Sequence, residues 1–258
     1  MTGEGGTKER FVEATLEAIA DEGGSLEVNL RGISRRVGCA HTNAYNYFDS
    51  YQDLLWAAFR RGLHIYGEHL TRGLDRAMPA RAYLETAVGN LASFPQQNPG
   101  LYRFIGSDPI EPSAIPADVM DTVVAMKRWF SSVVEAAAGP SVDAVEARAA
   151  ADIILAYVDG ETLNLINGRA VPDEDLGGRV VANALRLFEL LAGRATGGHG
   201  RVGRAAGDPP DPTRIFGDGG DKRGRDLGTR HHRPGAPGVD RPGRLVAGTG
   251  HGRAAEPG

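Results

Sequence analysis

Apolar residues repeat at the spacing of an α-helix from Val12 to Leu191, and that repeat limits the fold more than any other feature. Val12, Leu16, Ile19 and Ala20 fall at i, i+4, i+7 and i+8, one stripe of a 3.6-residue period. Gly23-Gly24 stops this first helix. Leu30, Ile33 and Val37 make a short second stripe, with Asn29 at the N-cap position and Gly38 just past the end. A third helix is expected over about His41 to Phe48. Asp49 or Ser50 then caps a longer fourth, carrying Leu54, Leu55, Ala58, Phe59, Leu63 and Tyr66. Pro79 marks the next start, with Leu84, Ala87, Val88 and Leu91 on the apolar face and Phe94-Pro95 as the expected end. Asn98-Pro99 opens a short piece, and the prolines between Asp108 and Pro116 make a loop. Val119 to Ala138 is helical again. Val142 to Asn167 is a long helix with Val145, Ala149, Ile153, Ala156 and Tyr157 on one stripe. Pro172-Asp173 starts the last helix, where Val181, Ala184, Leu185, Phe188 and Leu191 repeat. The expected class is all-α, and with no repeat of 20–50 residues it is no solenoid.

The pattern ends where the composition changes. Of the 66 residues from Gly193 onward, 18 are Gly and 7 are Pro, a share that predicts a disordered, low-complexity tail over 193–258. That tail holds 12 Lys and Arg against 7 Asp and Glu, while the rest of the 258-residue chain holds 17 against 26. A body this acidic gives no global electrostatic reason to expect nucleic acid, so any such case must rest on a local site. No stretch is apolar enough for a membrane span, and the polar N-terminus is not expected to be a signal peptide. The single Cys39 excludes an internal disulfide and fits a reducing cytoplasm, the expected location.

The local site is the stretch Leu30 to Phe48. Two short helices are separated by a turn whose one candidate for positive φ is Gly38, the pattern of a helix-turn-helix. Ile33 and Val37 would meet Ala44 and Phe48, and Ser34 is small enough for a close crossing. The second helix is left with His41, Thr42, Asn43, Tyr45 and Tyr47, and no carboxylate occurs until Asp49. Base edges are read by hydrogen bonds and methyl contacts, whereas phosphates repel acidic side chains. Arg31, Arg35 and Arg36 add positive charge to the helix that would cross the DNA backbone.

These residues resemble those of the tetracycline-repressor (TetR) family of bacterial regulators. The likeness covers the opening helix Arg10 to Glu22, "NLRGISRRVGC", "AHTNAYNYFDSYQDLL" and the order of nine helices over about 185 residues. It implies an N-terminal three-helix DNA-binding domain over 8–55 and an effector-binding and dimerisation domain over 56–192. It further implies that Asn29 and Arg31 meet the DNA backbone or groove. His41, Thr42, Asn43 and Tyr45 would read or flank bases, Tyr47 would touch a phosphate, and Tyr51 would open the fourth helix. Two residues depart from the family pattern. Tyr51 stands where Lys is usual, which turns a charge contact into at best a hydroxyl bond. Ala40 stands where Ser or Thr is usual, which removes an N-cap worth roughly 0.5–2 kcal/mol.

The resemblance implies a cytoplasmic, ligand-responsive regulator, most often a repressor. It would bind a palindromic double-stranded DNA operator as a homodimer, through the helices at 142–167 and 173–192. An unidentified small-molecule effector would release it, and the fourth helix, joined to the reading head at Asp49-Ser50, is the expected lever. Candidate effector contacts are Phe59, Tyr66, Phe94, Tyr102, Trp129, Tyr157 and Glu161. Aromatics at helical spacing serve equally as core, and Glu161 with Asn164 faces either a polar pocket or a dimer rim. Enzyme motifs are missing from the sequence. Gly198 to Gly203 matches Gly-x-Gly-x-x-Gly but follows no strand, and His231-His232 lacks ligand spacing, so no cofactor, no metal and no membrane contact are expected. The alternative reading is a small-molecule-binding helical dimer or adaptor that has lost DNA binding, motivated by Tyr51 and Ala40.

Overall fold

The computed structural model describes residues 4–110, 115–140, 142–169, 175–196 and 209–211. Among them every regular element is helical: α1 (Glu4–Glu22), α2 (Leu30–Val37), a 3₁₀ helix (His41–Asn46), α3 (Tyr51–Leu70), α4 (Ala80–Gln97), α5 (Pro99–Gly106), α6 (Ala117–Ala138), α7 (Ala144–Ile166) and α8 (Leu176–Thr196). The chain divides into one unit of Met1–Gly219 and a second of Gly220–Gly258, the latter wholly outside the described residues. No described helix is long and apolar enough to cross a membrane.

Local chemistry sets the helix ends. Asn29 Oδ1 accepts from Gly32 N at 3.1 Å to start α2, and Gly38 closes it with φ +79°, a conformation that suits Gly. Ser50 caps α3 through Asp53 N, and Asp143 with Glu146 forms a reciprocal capping box on α7. Against expectation, α4 runs through Pro95 to Gln97. Pro95 has no N–H and gives up one rung of the ladder, but Gln96 Nε2 and Asn98 N still bond Ala92 O and Phe94 O around it.

One apolar core runs through α1–α8. Phe11, Ile19, Ile33, Leu54, Tyr83, Leu84, Phe94, Phe104, Phe130 and Ile154 are its largest fully buried side chains. On α7 the buried face is Ala147, Ala150, Ala151, Ile154, Val158 and Thr162. The stripe expected from the sequence lies mostly outside: Val145, Ala149, Ile153 and Ala156 are exposed. This helix is apolar all round, so periodicity alone could not say which face its own chain covers.

The tail does not begin at Gly193, because α8 continues to Thr196. Within the expected disordered segment, Pro209 is buried and Pro210 O accepts from Tyr83 Oη at 3.0 Å. Apart from 209–211, its residues beyond Thr196, like the expected helix start at Pro172-Asp173, lie outside the described residues.

Candidate functional site

Two regions collect the candidate residues. The first is the corner made by α2 and the 3₁₀ helix. Gly38 N and Cys39 N both donate to Ser34 O at 3.0 Å, which closes α2 and turns the chain toward the next helix. Ile33, Val37, Ala44 and Phe48 are buried between the two segments, as the sequence requires. Arg10 Nη2 donates to Val37 O at 2.6 Å, and Phe48 sits edge-on to Phe11, so α1 holds the corner from behind.

The reading segment is a 3₁₀ helix of six residues rather than an α-helix reaching Phe48. Ala40 offers no side-chain cap, and His, Thr, Asn and Tyr all have low helix propensity, so nothing local favours the wider turn. Bonds from Asn43 N to Ala40 O and from Tyr47 N to Ala44 O close the tighter rings. Residues three apart then eclipse, and Asn46 Nδ2 donates to Asn43 Oδ1 at 2.8 Å.

The side chains divide by exposure. Asn29, Arg31, His41, Thr42, Tyr45 and Asn46 are exposed, with Tyr45 at 54 %, so its ring is not spent on packing. Asn43 is half-buried. Tyr47 is also half-buried, its ring 6.2 Å from that of Phe11. Tyr51 Oη donates to Val28 O at 2.7 Å, and burial pushes its hydroxyl up to about 12. That hydroxyl therefore ties α3 to the turn before α2. Arg36 pairs with Asp21 at 2.8 Å, whereas Arg31 and Arg35 share one face of α2 with no carboxylate partner among the described residues. Arg35 thus stands beside the candidate Arg31 as an equivalent cation.

The second region is a cavity of about 460 Å³ among α3, α4, α5, α6 and α7. Tyr66, Tyr102 and Trp129 line it as expected. The other four candidates do not. Phe59 stacks edge-on against Trp56 and Phe104, and Phe94 is fully buried between Tyr66, His69 and Tyr102. Tyr157 faces α8, where its Oη accepts from Asn183 Nδ2 at 3.0 Å. Glu161 lies outside the cavity lining.

The carboxylate that does face the cavity is Asp159, two residues before Glu161 and so about 200° away around the helix. Asp152, Leu155, Ala156 and Asp159 line the wall at i, i+3, i+4 and i+7. That seven-residue repeat of Asp on an apolar helix was the signal available in the sequence. Tyr102 Oη donates to Asp159 Oδ1 at 2.5 Å. Burial raises Asp159 above the usual carboxylate range, offset in part by Tyr102 and by Lys127. Burial likewise holds the Tyr66 and Tyr102 hydroxyls protonated.

One short helix runs from the cavity to the end of α1 and the loop before α2. Tyr102, Ile105 and Gly106 of α5 line the cavity. Arg103, the next residue after Tyr102, donates from Nη1 to Gly23 O and from Nη2 to Ile166 O, each at 2.6 Å. Asp108 Oδ2 accepts from Ser25 N at 2.6 Å and from Ser25 Oγ at 2.9 Å. A Cβ on Gly100 would lie 2.5 Å from Ile19 O, so only glycine lets α5 sit this close to α1. The Arg103 and Asp108 contacts span 63 to 83 residues of sequence, so no local spacing announces them.

Comparison with solved structures gives the fold a place. No family model matches the chain, and no curated protein matches it in sequence. A TetR-family transcriptional regulator from Streptomyces coelicolor superposes with a TM-score of 0.58 at 15 % identity, covering 78 % of this chain and 93 % of that one. The fold is TetR-like. A TetR transcription regulator from Haloarcula marismortui shares this TetR-like fold with a TM-score of 0.57 at 16 % identity, over 72 % of this chain and 98 % of that one. A TetR-like transcriptional regulator from Rhodococcus sp. RHA1 gives 0.53 at 16 %, over 77 % and 100 %. At these identities the likeness is one of architecture.

Proposed function

We propose that the chain is a DNA-binding transcriptional regulator that acts in the cytoplasm as a homodimer. It represses from a palindromic operator and is released by a small molecule. The observation that carries this reading is the exposed surface of the corner. His41, Thr42, Tyr45 and Asn46 offer donors, acceptors and a ring with no carboxylate among them, and Arg31 and Arg35 of α2 are exposed with no carboxylate partner among the described residues. Such a surface suits base edges in a major groove flanked by phosphates. Residues 8–55 form the DNA-binding part and 56–192 the effector and dimerisation part. Val145 at 77 %, Ile153 at 45 % and Leu190 at 57 % exposed leave apolar side chains on α7 and α8 for a second copy to cover. Two-fold symmetry then spaces operator half-sites by about 34–36 Å or a multiple.

Effector control runs through two elements. α3 reaches from Tyr51 at the corner to Leu63, Tyr66 and Leu70 at the cavity. α5 and the turn after it connect Tyr102 in the cavity to Gly23 and Ser25, in the loop before α2, through Arg103 and Asp108. A ligand that binds one arrangement of these helices better shifts the spacing of the two reading heads by its differential affinity.

The second reading, a ligand-binding dimer without DNA binding, draws on the 3₁₀ form of the reading segment and on the Tyr51 hydroxyl being spent on Val28. An electrophoretic shift with duplex DNA from upstream of the protein's own gene separates the two. The regulator gives a discrete complex at nanomolar protein with a palindromic footprint, whereas the alternative gives only weak binding that salt abolishes.

A further inference from the structure

The cavity holds its charges unevenly. Lys127 and Asp152 line it but are exposed, one of each sign at its opening. Asp159 is the carboxylate left inside. Its Oδ1 accepts a hydrogen bond from the Tyr102 hydroxyl, and Oδ2 has no protein donor among the described residues. Most of the remaining wall is apolar, and Tyr66, Tyr102 and Trp129 bring ring surfaces to it. Asp159 is half-buried and Lys127 offsets its burial only in part, so its Oδ2 is open to a positively charged donor that enters the cavity. Ring faces attract the same kind of partner, because their quadrupole is negative above the plane.

We propose that the cavity takes a lipophilic organic cation, a protonated amine whose N–H donates to Asp159 Oδ2 while its apolar body lies against Tyr66, Tyr102 and Trp129. This deepens the effector half of the reading above and rests on it. At roughly 30 Å³ per non-hydrogen atom the cavity accommodates about fifteen such atoms, the size of a small drug-like amine. A carboxylate ligand meets Asp159 with like charge. A neutral alcohol can use the hydrogen bond without the charge, so it binds, but less tightly. The position of Tyr102 gives the site a path outward, since Arg103 beside it holds the Gly23 carbonyl.

Three molecules of one shape test the charge directly: 3,3-diphenylpropylamine, 3,3-diphenylpropan-1-ol and 3,3-diphenylpropanoate, titrated calorimetrically into the full chain at pH 7.5. The amine is expected to bind at least about tenfold tighter than the alcohol, the worth of one charge-assisted hydrogen bond in a desolvated site, and the carboxylate weakest. Asp159→Asn keeps the acceptor for Tyr102 and removes the charge, and should bring amine and alcohol to within about threefold of each other. The wild-type comparison stands without the variant if that variant folds poorly. Alcohol or carboxylate binding as tightly as the amine, or a preference that survives in Asp159→Asn, overturns the cation and leaves the effector reading intact. If none of the three binds at millimolar concentration, the proposal fails and the effector reading loses its cavity as well.

Discussion

Tyr102 and Arg103 are chain neighbours that grip different parts of the molecule. Tyr102 donates to Asp159 in the cavity wall, and Arg103 bridges the carbonyls of Gly23 and Ile166. Consecutive residues on a helix point about 100° apart, so one turn of α5 serves both the cavity and the loop between α1 and α2. A displacement of α5 at one face is a displacement at the other. The Arg103 Nε is buried without an acceptor, so its two Nη groups alone fix the side chain.

Replacing Arg103 should therefore uncouple before it unfolds. Arg103→Lys keeps a charge but reaches only one of the two carbonyls, and loses roughly 1–3 kcal/mol of stability from the orphaned acceptor. Operator affinity without ligand should change little, while the ligand-induced loss of affinity should shrink several-fold. Thermal melts and anisotropy titrations with and without the amine check this.

Gly100→Ala tests the seat of α5 on α1. The added Cβ meets the Ile19 carbonyl at 2.5 Å, a backbone atom that no rotamer can clear. The expected cost is about 1–3 kcal/mol, the usual penalty for overpacking, read as a lower midpoint in urea. An unchanged midpoint means that the two helices do not touch as described.

Asp159 should leave a pH signature in stability. Its folded carboxyl is raised above the value near 3.9 expected unfolded, so between those two values the native state binds more protons. Stability from this group is full below the unfolded value and is lost as pH rises through the folded one. Asp159→Asn removes that loss and should melt higher than wild type at pH 7, with the difference vanishing toward pH 4. Tyr66 on α3, Tyr102 on α5, Lys127 on α6 and Asp152 on α7 are the titratable and charged groups that line the cavity with this carboxyl, and all four stay in both proteins.

The reach of the sequence differed by element. Caps and breakers were legible: Asn29, Gly38, Ser50 and the Gly23-Gly24 stop act in the fold as their chemistry predicts. The corner was legible too, because its apolar and polar positions alternate sharply over a short span. Tyr51 was recognised as a departure, but its bond to Val28 depends on a tertiary approach that no local pattern encodes. On α7 the helix is apolar on every side, so Glu161 was singled out where Asp159 faces the cavity. Contacts such as Arg103 with Gly23 span 80 residues and leave no spacing to read.

Homodimerisation carries its own prediction. Ile153→Asp with Leu190→Asp places charges on exposed apolar positions of α7 and α8 without touching the buried face. The circular dichroism should stay helical while sedimentation shifts from dimer to monomer. A dimer that persists assigns pairing to another surface.

The most direct test of the account is a salt-resolved anisotropy titration of a labelled upstream duplex with wild type, Asn43→Ala, Tyr45→Ala and Arg31→Ala. The account predicts nanomolar binding by wild type and loss of specific binding in the first two at unchanged helicity. Arg31→Ala should weaken binding to every sequence alike and lower the salt slope by about one. Affinity that is unchanged in Asn43→Ala and Tyr45→Ala, or a wild type that binds no sequence better than random DNA, would contradict it.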